Sequence, residues 1–408
     1  MKPADRTPLP AVVWRLGWVS FFADVCSEMI YPIIPIFLAT LAAPTWALGL
    51  IEGVASCMAV GMKGMSGFWS DKSGRRAPFI QWGYLLSGMG KPVIAAATLI
   101  GWPAALMGRA LDRFGKGIRT TSRDAMIADS VPDTQYGRAY GVHAGMDTAG
   151  AFVGAIIAYL LVRNYLHLDG LRLDQLGHSF ASGGLLQQMF LYAGIPGLAA
   201  WAITLTLKDK AREPAAKPGE APIVAAPLGR AFWRALILSS VFALANSSDT
   251  FLILRATSNG LNFGQAILAY ILYNFTYTLM TYPSGALSDR IGRWRLLGFG
   301  WLFYALVYAG FAALSGGWIW LLFGLYGFYT GATDGVNKAL IADLAPKQAR
   351  GRAMGLFYTV TGVSGLAASL IAGVLWQAVN PASTFWFGAA AALLAALLIP
   401  LTRRASRA

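Results

Sequence analysis

The chain has 408 residues, of which 56% are hydrophobic and only 13% are Asp, Glu, Lys or Arg. An average soluble domain carries about 25% of these charged residues, so this chain has too few charges to cover a soluble surface. The composition excludes soluble, disordered and disulfide-scaffold proteins and leaves a membrane protein that crosses the bilayer several times.

Long apolar runs favour helices over a transmembrane barrel. A barrel needs segments of about ten residues with alternating polarity, whereas runs such as residues 385–401 are apolar on all sides. A spanning helix needs about 20 apolar residues. The runs between charged or Gly/Pro breaks predict an all-α membrane protein with twelve spans, numbered 1 to 12. They cover residues 12–41, 47–70, 79–98, 102–122, 137–162, 187–207, 231–255, 263–285, 296–314, 317–343, 353–378 and 384–402.

The longest non-apolar stretch divides the chain into two halves. Residues 208–230 are rich in Pro, Ala and Lys and predict a cytoplasmic linker. It joins an N-terminal six-helix bundle, residues 1–207, to a C-terminal one, residues 231–408. Most of the 33 Lys and Arg fall in the tails, the linker and the even-numbered loops, which predicts that both termini are cytoplasmic.

The net charge of +14 is therefore a signal of topology. A nucleic-acid partner is not expected, because no contiguous basic face is evident. Cys26 and Cys57 lie in apolar runs and are expected to be small buried hydrophobic residues rather than a disulfide or metal pair. No nucleotide-binding loop is present, so ATP is not the expected energy source, and no cofactor is expected.

The two halves repeat each other. GFWSDKSGRR at 67–76, after span 2, matches GALSDRIGRW at 285–294, after span 8. DAMIADSVPDTQYGRAYG at 124–141 matches KALIADLAPKQARGRAMG at 338–355, which places Asp129 opposite Asp343. Two related six-helix halves are an architecture of secondary transporters.

With these repeats the chain resembles the major facilitator superfamily of secondary transporters over essentially its whole length. The loop signature of that family is Gly-x-x-x-Asp-(Arg/Lys)-x-Gly-(Arg/Lys)-(Arg/Lys). The chain carries it twice, as Gly67, Asp71, Lys72, Gly74, Arg75 and Arg76, and as Gly285, Asp289, Arg290, Gly292 and Arg293. The resemblance implies two pseudo-symmetric six-helix bundles.

The signature loops predict a cytoplasmic gate. Gly67 and Gly285 allow neighbouring helices to approach closely. Asp71 and Asp289 can receive the positive end of an adjacent helix, a contact that would form only when the cytoplasmic side is closed. The alternative is that these loops only form tight turns and set the topology.

Ionisable residues at membrane depth mark pathways or proton relays. In span 1, Asp24 and Glu28 are four residues apart and share a helix face. Without a neighbouring base they should repel each other, so one is expected to bind a proton. Pro32 and Pro35 follow and can bend the helix.

Span 4 carries a charged stripe. Arg109, Asp112, Lys116 and Arg119 recur at steps of three or four residues, with Arg113 beside them. This stripe must face protein or water. Span 7 has Asp249, and span 10 has Asp334 and Lys338, four residues apart. The family resemblance implies that spans 1, 4, 7 and 10 line the central cavity.

Several of these charges have a purely structural alternative. Arg109–Asp112, Asp112–Lys116 and Asp334–Lys338 could be ion pairs that only hold helices together. Lys91 in span 3 is expected to pair or to extend toward the interface. His143 and Asp147 in span 5 could tune a pH dependence or could simply pack.

The sequence predicts a proton-coupled transporter with alternating access. Asp24 and Glu28 are assigned to proton exchange or substrate contact, and Arg109, Arg113 and Lys116 to an anionic substrate or to control of the acids. Asp249, Asp334 and Lys338 are assigned to the opposite cavity wall. The expected partners are protons, a small-molecule substrate and the lipid of a bacterial inner membrane, and the protein is expected to be a monomer.

The direction of transport is open at this point. Export of a small organic or drug-like compound by proton antiport is favoured, and import of an anionic solute, such as an organic acid or metal chelate, by proton symport is the alternative. The span 4 motif of some drug antiporters is only partly present, since Asp112 and Arg113 replace its Gln and Gly. An intramembrane enzyme is a remote third possibility, because no catalytic cluster is apparent.

Overall fold

In the computed structural model, the described residues are 8–132, 136–165, 170, 180–209, 227–346 and 350–404. Every regular element in these ranges is helical. Helical segments cover each of the twelve predicted spans, with ends that differ from the predicted ones by up to eight residues. Most of the predicted linker, residues 210–226, lies outside the described part of the chain.

The helices of the first half follow the predicted spans. Span 1 consists of Ala11–Glu28, a 3-10 turn at Tyr31–Ile33 and Ile34–Thr40. Span 3 consists of Ala77–Ala95 and the short helix Ala97–Ile100. The remaining helices are Thr45–Ser73 (span 2), Trp102–Ser130 (span 4), Tyr136–Leu160 followed by a π-helical turn at Leu161–Tyr165 (span 5), and Phe180–Thr204 (span 6).

The second half has the same plan. Span 7 is divided into Arg230–Ala245 and Thr250–Ser258. The remaining helices are Phe263–Ile291 (span 8), Arg293–Ala313 (span 9), Trp318–Leu344 (span 10), Arg350–Ala378 (span 11) and Pro381–Arg404 (span 12).

Spans 1 and 7, the first spans of the two halves, are both interrupted. The helix of span 1 stops at Glu28 and regular helix resumes at Ile34, which confirms the bend predicted from Pro32 and Pro35. Interrupted helices free backbone groups at membrane depth, and such breaks are tolerated where they line a protein cavity.

Seven helices of the described chain are long and apolar enough to cross a membrane by length and composition. The span 4 helix is not among them, because Arg109, Asp112, Arg113 and Lys116 interrupt its apolar character. Such a helix is stable at membrane depth only when its charges face protein partners or water.

Close contacts divide the chain into two compact units. The first lies within Met1–Ile33, Met58–Leu161 and Gly183–Pro222, and the second within Ile34–Cys57, Val162–Ser182 and Ile223–Ala408. Residues 34–57, at the end of span 1 and the start of span 2, therefore group with the second unit. The predicted domain boundaries at 207 and 231 stay a prediction.

Each unit has its own apolar core. In the first unit, Leu16 and Val19 of span 1 pack in one cluster with Ile80 of span 3 and Ile127 of span 4. In the second unit the equivalent cluster joins spans 7, 9, 10 and 11 through Phe232, Leu297, Leu340, Ile341 and Phe357. These cores hold the charged helices of each unit in fixed positions.

Candidate functional site

The charged stripe of span 4 forms a buried cluster with span 3. The carboxylate of Asp112 accepts hydrogen bonds from the hydroxyl of Ser87 and from the ammonium of Lys91, the latter at 2.7 Å. Arg109 approaches the same carboxylate at 3.3 Å and Arg113 at 3.9 Å. Lys91, Arg109 and Asp112 are each 1% exposed. One buried carboxylate therefore faces three cations.

Glycines bring the two helices of this cluster together. A Cβ atom on Gly90 would lie 2.5 Å from the carbonyl oxygen of Gly108, and one on Gly115 would lie 2.4 Å from that of Gly83. Only glycine permits so close an approach of two helix backbones. This approach places Lys91 beside Asp112, so that Lys91 pairs, one of the two alternatives expected for it.

One predicted ion pair is wrong. The pair between Asp112 and Lys116 does not form among the described residues, because Asp112 is occupied by Lys91, Arg109 and Arg113. Lys116 interacts instead with Asp24 of span 1.

Spans 1 and 5 bring two carboxyl groups together. The carboxyl groups of Asp24 and Asp147 lie within hydrogen-bonding reach of each other, and the hydroxyl of Ser20 donates a hydrogen bond to Asp147. An ionised carboxylate is only an acceptor, so two carboxyl groups share a hydrogen bond only when one of them carries a proton. This arrangement can hold one proton between two helices.

Positive charges flank this carboxyl pair. Lys116 acts on Asp24, and Arg123 and Lys116 act on Asp147. The expectation that Asp24 and Glu28 lack a neighbouring base is therefore wrong, because Lys116 of span 4 is that base. The carboxyl group that meets Asp24 across a helix interface is that of Asp147, and sequence spacing within one helix cannot show such a contact.

Glycines of span 5 allow this contact. A Cβ atom on Gly150 would lie 2.3 Å from the carbonyl oxygen of Phe21, and one on Gly154 would lie 2.7 Å from that of Val25. The two backbones therefore nearly touch, one turn away from the carboxyl pair. Short side chains such as aspartate meet across a helix interface only at such a distance.

In the second unit, the break in span 7 places Asp249 among tyrosines. The hydroxyl groups of Tyr326 and Tyr273 donate to its carboxylate at 2.6 and 3.0 Å. Tyr304 donates to the carbonyl oxygen of Ala245 at 2.8 Å, which satisfies an acceptor freed where the helix ends. The sequence singled out Asp249, but it gave no signal for the tyrosines, which come from spans 8, 9 and 10.

A cavity of about 290 Å³ opens in the same unit. Its charged lining residues are Asp334 and Lys338, whose side chains form an ion pair at 2.7 Å. The rest of the lining is aromatic, polar or small: Ser239, Phe242, Ala243, Asn246, Trp301, Tyr329, Thr330, Thr333, Asn337, Phe357, Tyr358, Thr361 and Gly365. Asp249 is not in this lining, although Asn246, three residues earlier, is.

The signature loops hold one arginine each in an equivalent contact. Arg76 lies 3.5 Å from Asp129 and donates to Ser70 at 2.8 Å. Arg293 pairs with Asp343 and donates at 3.3 Å to Ser288.

These two arginines are not aligned by the sequence repeat, which matches Arg293 with Arg75. The turn in the first half includes Gly74, Arg75 and Arg76, whereas Gly292 alone separates spans 8 and 9. The longer turn shifts the pairing arginine by one position. The side chains of Asp71 and Asp289, and position 285, lie outside the described part, so the predicted gate stays a prediction.

Comparison with known proteins agrees with this architecture. The sequence model of the Major Facilitator Superfamily matches residues 16–333 and 250–408. An uncharacterized MFS-type transporter of Methanocaldococcus jannaschii is 34% identical over 394 residues, which cover 95% of this chain and 94% of that protein.

Solved structures show the same fold at low sequence identity. A crystal structure of a D-xylose-proton symporter superposes with a TM-score of 0.71 at 16% identity, and the match covers 95% of each chain. A crystal structure of a nucleoside transporter superposes with a TM-score of 0.74 at 13% identity, and the match covers 96% of this chain and 99% of that one. The chain therefore belongs to the Major Facilitator Superfamily and is a multi-pass membrane transporter, not an enzyme.

Proposed function

We propose that the protein is a proton-coupled secondary transporter in which Asp24 and Asp147 carry the coupling proton. The observation that carries this proposal is the proximity of the two carboxyl groups, which can share a hydrogen bond only with one proton on the pair. Lys116 and Arg123 beside the pair stabilise its ionised form. Movement of these cations during transport would therefore change the proton affinity of the pair, so that the pair binds or releases the proton.

Our first candidate for the direction is export of a small organic compound by proton antiport. Alternating access would move the two halves, with the loops at 67–76 and 285–294 controlling the cytoplasmic side. We place the protein in a bacterial inner membrane, and the bias of Lys and Arg supports a cytoplasmic position of both termini. Both repeats lie in one chain, which supports action as a monomer.

The second candidate is import of an anionic solute by proton symport. The observation that favours it is the position of Arg113, which is the most distant and the least buried of the three cations that approach Asp112. A substrate carboxylate could therefore bind at Arg113. Arg113→Ala should then impair anionic substrates more than cationic ones, whereas equal impairment would indicate a structural ion pair.

Proteoliposomes with an imposed pH gradient test the proposal and separate the candidates. Uptake of a panel of labelled organic cations, zwitterions and anions is measured with the interior either acidic or alkaline. Antiport predicts accumulation when the interior is acidic, and symport predicts accumulation when the exterior is acidic. Accumulation that is identical in both gradients, or that persists fully in Asp147→Asn, would contradict proton coupling through this pair.

A further inference from the structure

The cavity of the second unit has one acid and one base in its described lining. Asp334 and Lys338 are one helical turn apart on span 10 and are 45% and 41% exposed. An i,i+4 ion pair with this exposure contributes little to stability. A ligand can therefore separate the two side chains without disrupting the fold.

The balance of charge in this lining defines which ligand can separate Asp334 from Lys338. A monovalent cation bound to Asp334 would leave the ammonium of Lys338 without its partner. An anion bound to Lys338 would leave the carboxylate of Asp334 without its partner. A ligand with both an ammonium and a carboxylate group replaces one ion pair by two and leaves no charge unpaired. This arithmetic favours a zwitterion over either singly charged class.

The walls of the cavity suit a flat apolar body. Phe242 and Trp301 stack with ring centroids 4.8 Å apart, and Tyr329 packs against Phe242. All three rings line the cavity and are held in place by burial. Rigid aromatic surfaces bind a planar group at little cost in conformational entropy.

Two further features restrict the ligand. The volume of about 290 Å³ is at the lower end of the range for small-molecule sites, about 300 to 1,000 Å³. Asn337 accepts a hydrogen bond from Ser239 at 3.1 Å, which fixes its amide so that the NH₂ group remains to donate to a ligand acceptor.

From these observations we infer that the cavity binds a zwitterionic, amino-acid-like molecule with an aromatic side group, its ammonium on Asp334 and its carboxylate on Lys338. This inference rests on the proposed transport function and names its substrate class. It adds the aromatic wall of Phe242, Trp301 and Tyr329 as a determinant of specificity.

Three indole compounds provide a matched series of probes. Tryptophan carries both charges, tryptamine only the ammonium and indole-3-propionate only the carboxylate. Binding to the purified full-length protein is measured by isothermal titration calorimetry. We expect tryptophan to bind at least about tenfold more tightly than either analogue, the ratio that corresponds to about 1.4 kcal/mol.

Variants of the pair should change the order of these ligands. Asp334→Asn leaves Lys338 and should favour indole-3-propionate, whereas Lys338→Met leaves Asp334 and should favour tryptamine. The exchange variant Asp334→Lys/Lys338→Asp is the control, because it keeps both charges and should keep the preference for tryptophan. Thermal unfolding of each variant checks that it is folded.

The inference is overturned if tryptophan does not bind, or if both single variants keep the wild-type order. Calorimetry does not depend on a proton gradient, so the two proposals fail separately. Tryptophan binding without proton-driven transport would contradict only the proposed coupling. Proton-driven transport of a different solute class, without tryptophan binding, would contradict only the substrate assignment.

Discussion

The carboxyl groups of Asp24 in span 1 and Asp147 in span 5 lie within hydrogen-bonding reach of each other at the interface of two closely packed helices. A hydrogen bond from Ser20 to Asp147 fixes the orientation of the pair. The arrangement joins one proton to two helices, so that separation of these helices or a shift of Lys116 would change proton affinity. It is the structural basis of the proposed coupling.

This pairing predicts that Asp147→Asn resembles Asp24→Asn. Either substitution removes one of the two carboxyl groups. In Asp147→Asn the remaining carboxyl group of Asp24 faces Lys116, and in Asp24→Asn that of Asp147 faces Arg123 and Lys116. We expect both variants to lose gradient-driven accumulation in proteoliposomes by about tenfold or more, while Glu28→Gln, outside this carboxyl pair, retains most of it. If Glu28→Gln is as severe as Asp24→Asn and Asp147→Asn resembles the wild type, the acid pair assumed from sequence spacing is the functional one.

The buried cluster around Asp112 predicts a loss of stability on Asp112→Asn. The substitution removes the carboxylate that three cations share, two of which are almost fully buried. Removal of one partner of a buried ion pair costs about 3–5 kcal/mol. We expect a clear fall in the melting temperature of the purified protein.

Asp334→Asn is the matched control for this prediction. It breaks an ion pair of similar N–O distance, but both side chains of that pair are nearly half exposed. An exposed ion pair contributes at most about 1 kcal/mol to the free energy of unfolding. The melting temperature of Asp334→Asn should therefore remain near that of the wild type. Equal shifts for Asp112→Asn and Asp334→Asn would contradict the burial argument.

The close contact of spans 1 and 5 predicts that Gly150→Ala is harmful. The added Cβ atom would lie 2.3 Å from the carbonyl oxygen of Phe21, a backbone atom that moves only with its helix. Overpacking of this kind costs about 1–3 kcal/mol.

Gly145 is a suitable control on the same helix, because a Cβ atom there meets nothing within 4 Å. Gly145→Ala should be neutral or stabilise the helix by up to about 1 kcal/mol. Melting temperatures of the two variants provide the test. A Gly150→Ala protein as stable as Gly145→Ala would show that the helices are not in contact there.

The shifted arginine of the first signature loop predicts different effects for two neighbouring residues. Arg76 contacts Asp129 and Ser70, whereas the side chain of Arg75 is exposed and makes no ion pair among the described residues. We expect Arg76→Ala, like Arg293→Ala in the second half, to lower the transport rate and the stability by the loss of about 1 kcal/mol of pairing. Arg75→Ala should have a smaller effect; the reverse order would support the alignment of the sequence repeat.

The sequence was sufficient to predict the helices and to identify which of them carry charged residues. Long apolar runs leave few alternatives to spanning helices, and the repeated loops indicate two related halves. The break in span 1 was also predictable, since Pro32 and Pro35 remove backbone donors. The break in span 7 has no proline and was not predicted; it lies at Asn246–Asp249, in a run of short polar residues that compete with helical hydrogen bonding.

The partners of the charged residues could not be predicted in the same way. Spacing within one helix suggested Asp24 with Glu28 and Asp112 with Lys116. The structure instead joins Asp24 to Asp147 and Asp112 to Lys91, across helix interfaces set by glycines. Only Arg109–Asp112 and Asp334–Lys338, which are local, matched the prediction.

The most direct test of the proton pair is a pH jump applied to proteoliposomes adsorbed on a solid-supported membrane, without any substrate. The wild-type protein should give a transient current as a proton binds to the pair between spans 1 and 5. Asp24→Asn and Asp147→Asn should each abolish that current, while Arg75→Ala should leave it unchanged. A current of wild-type size in both aspartate variants would contradict the assignment of the coupling proton to Asp24 and Asp147.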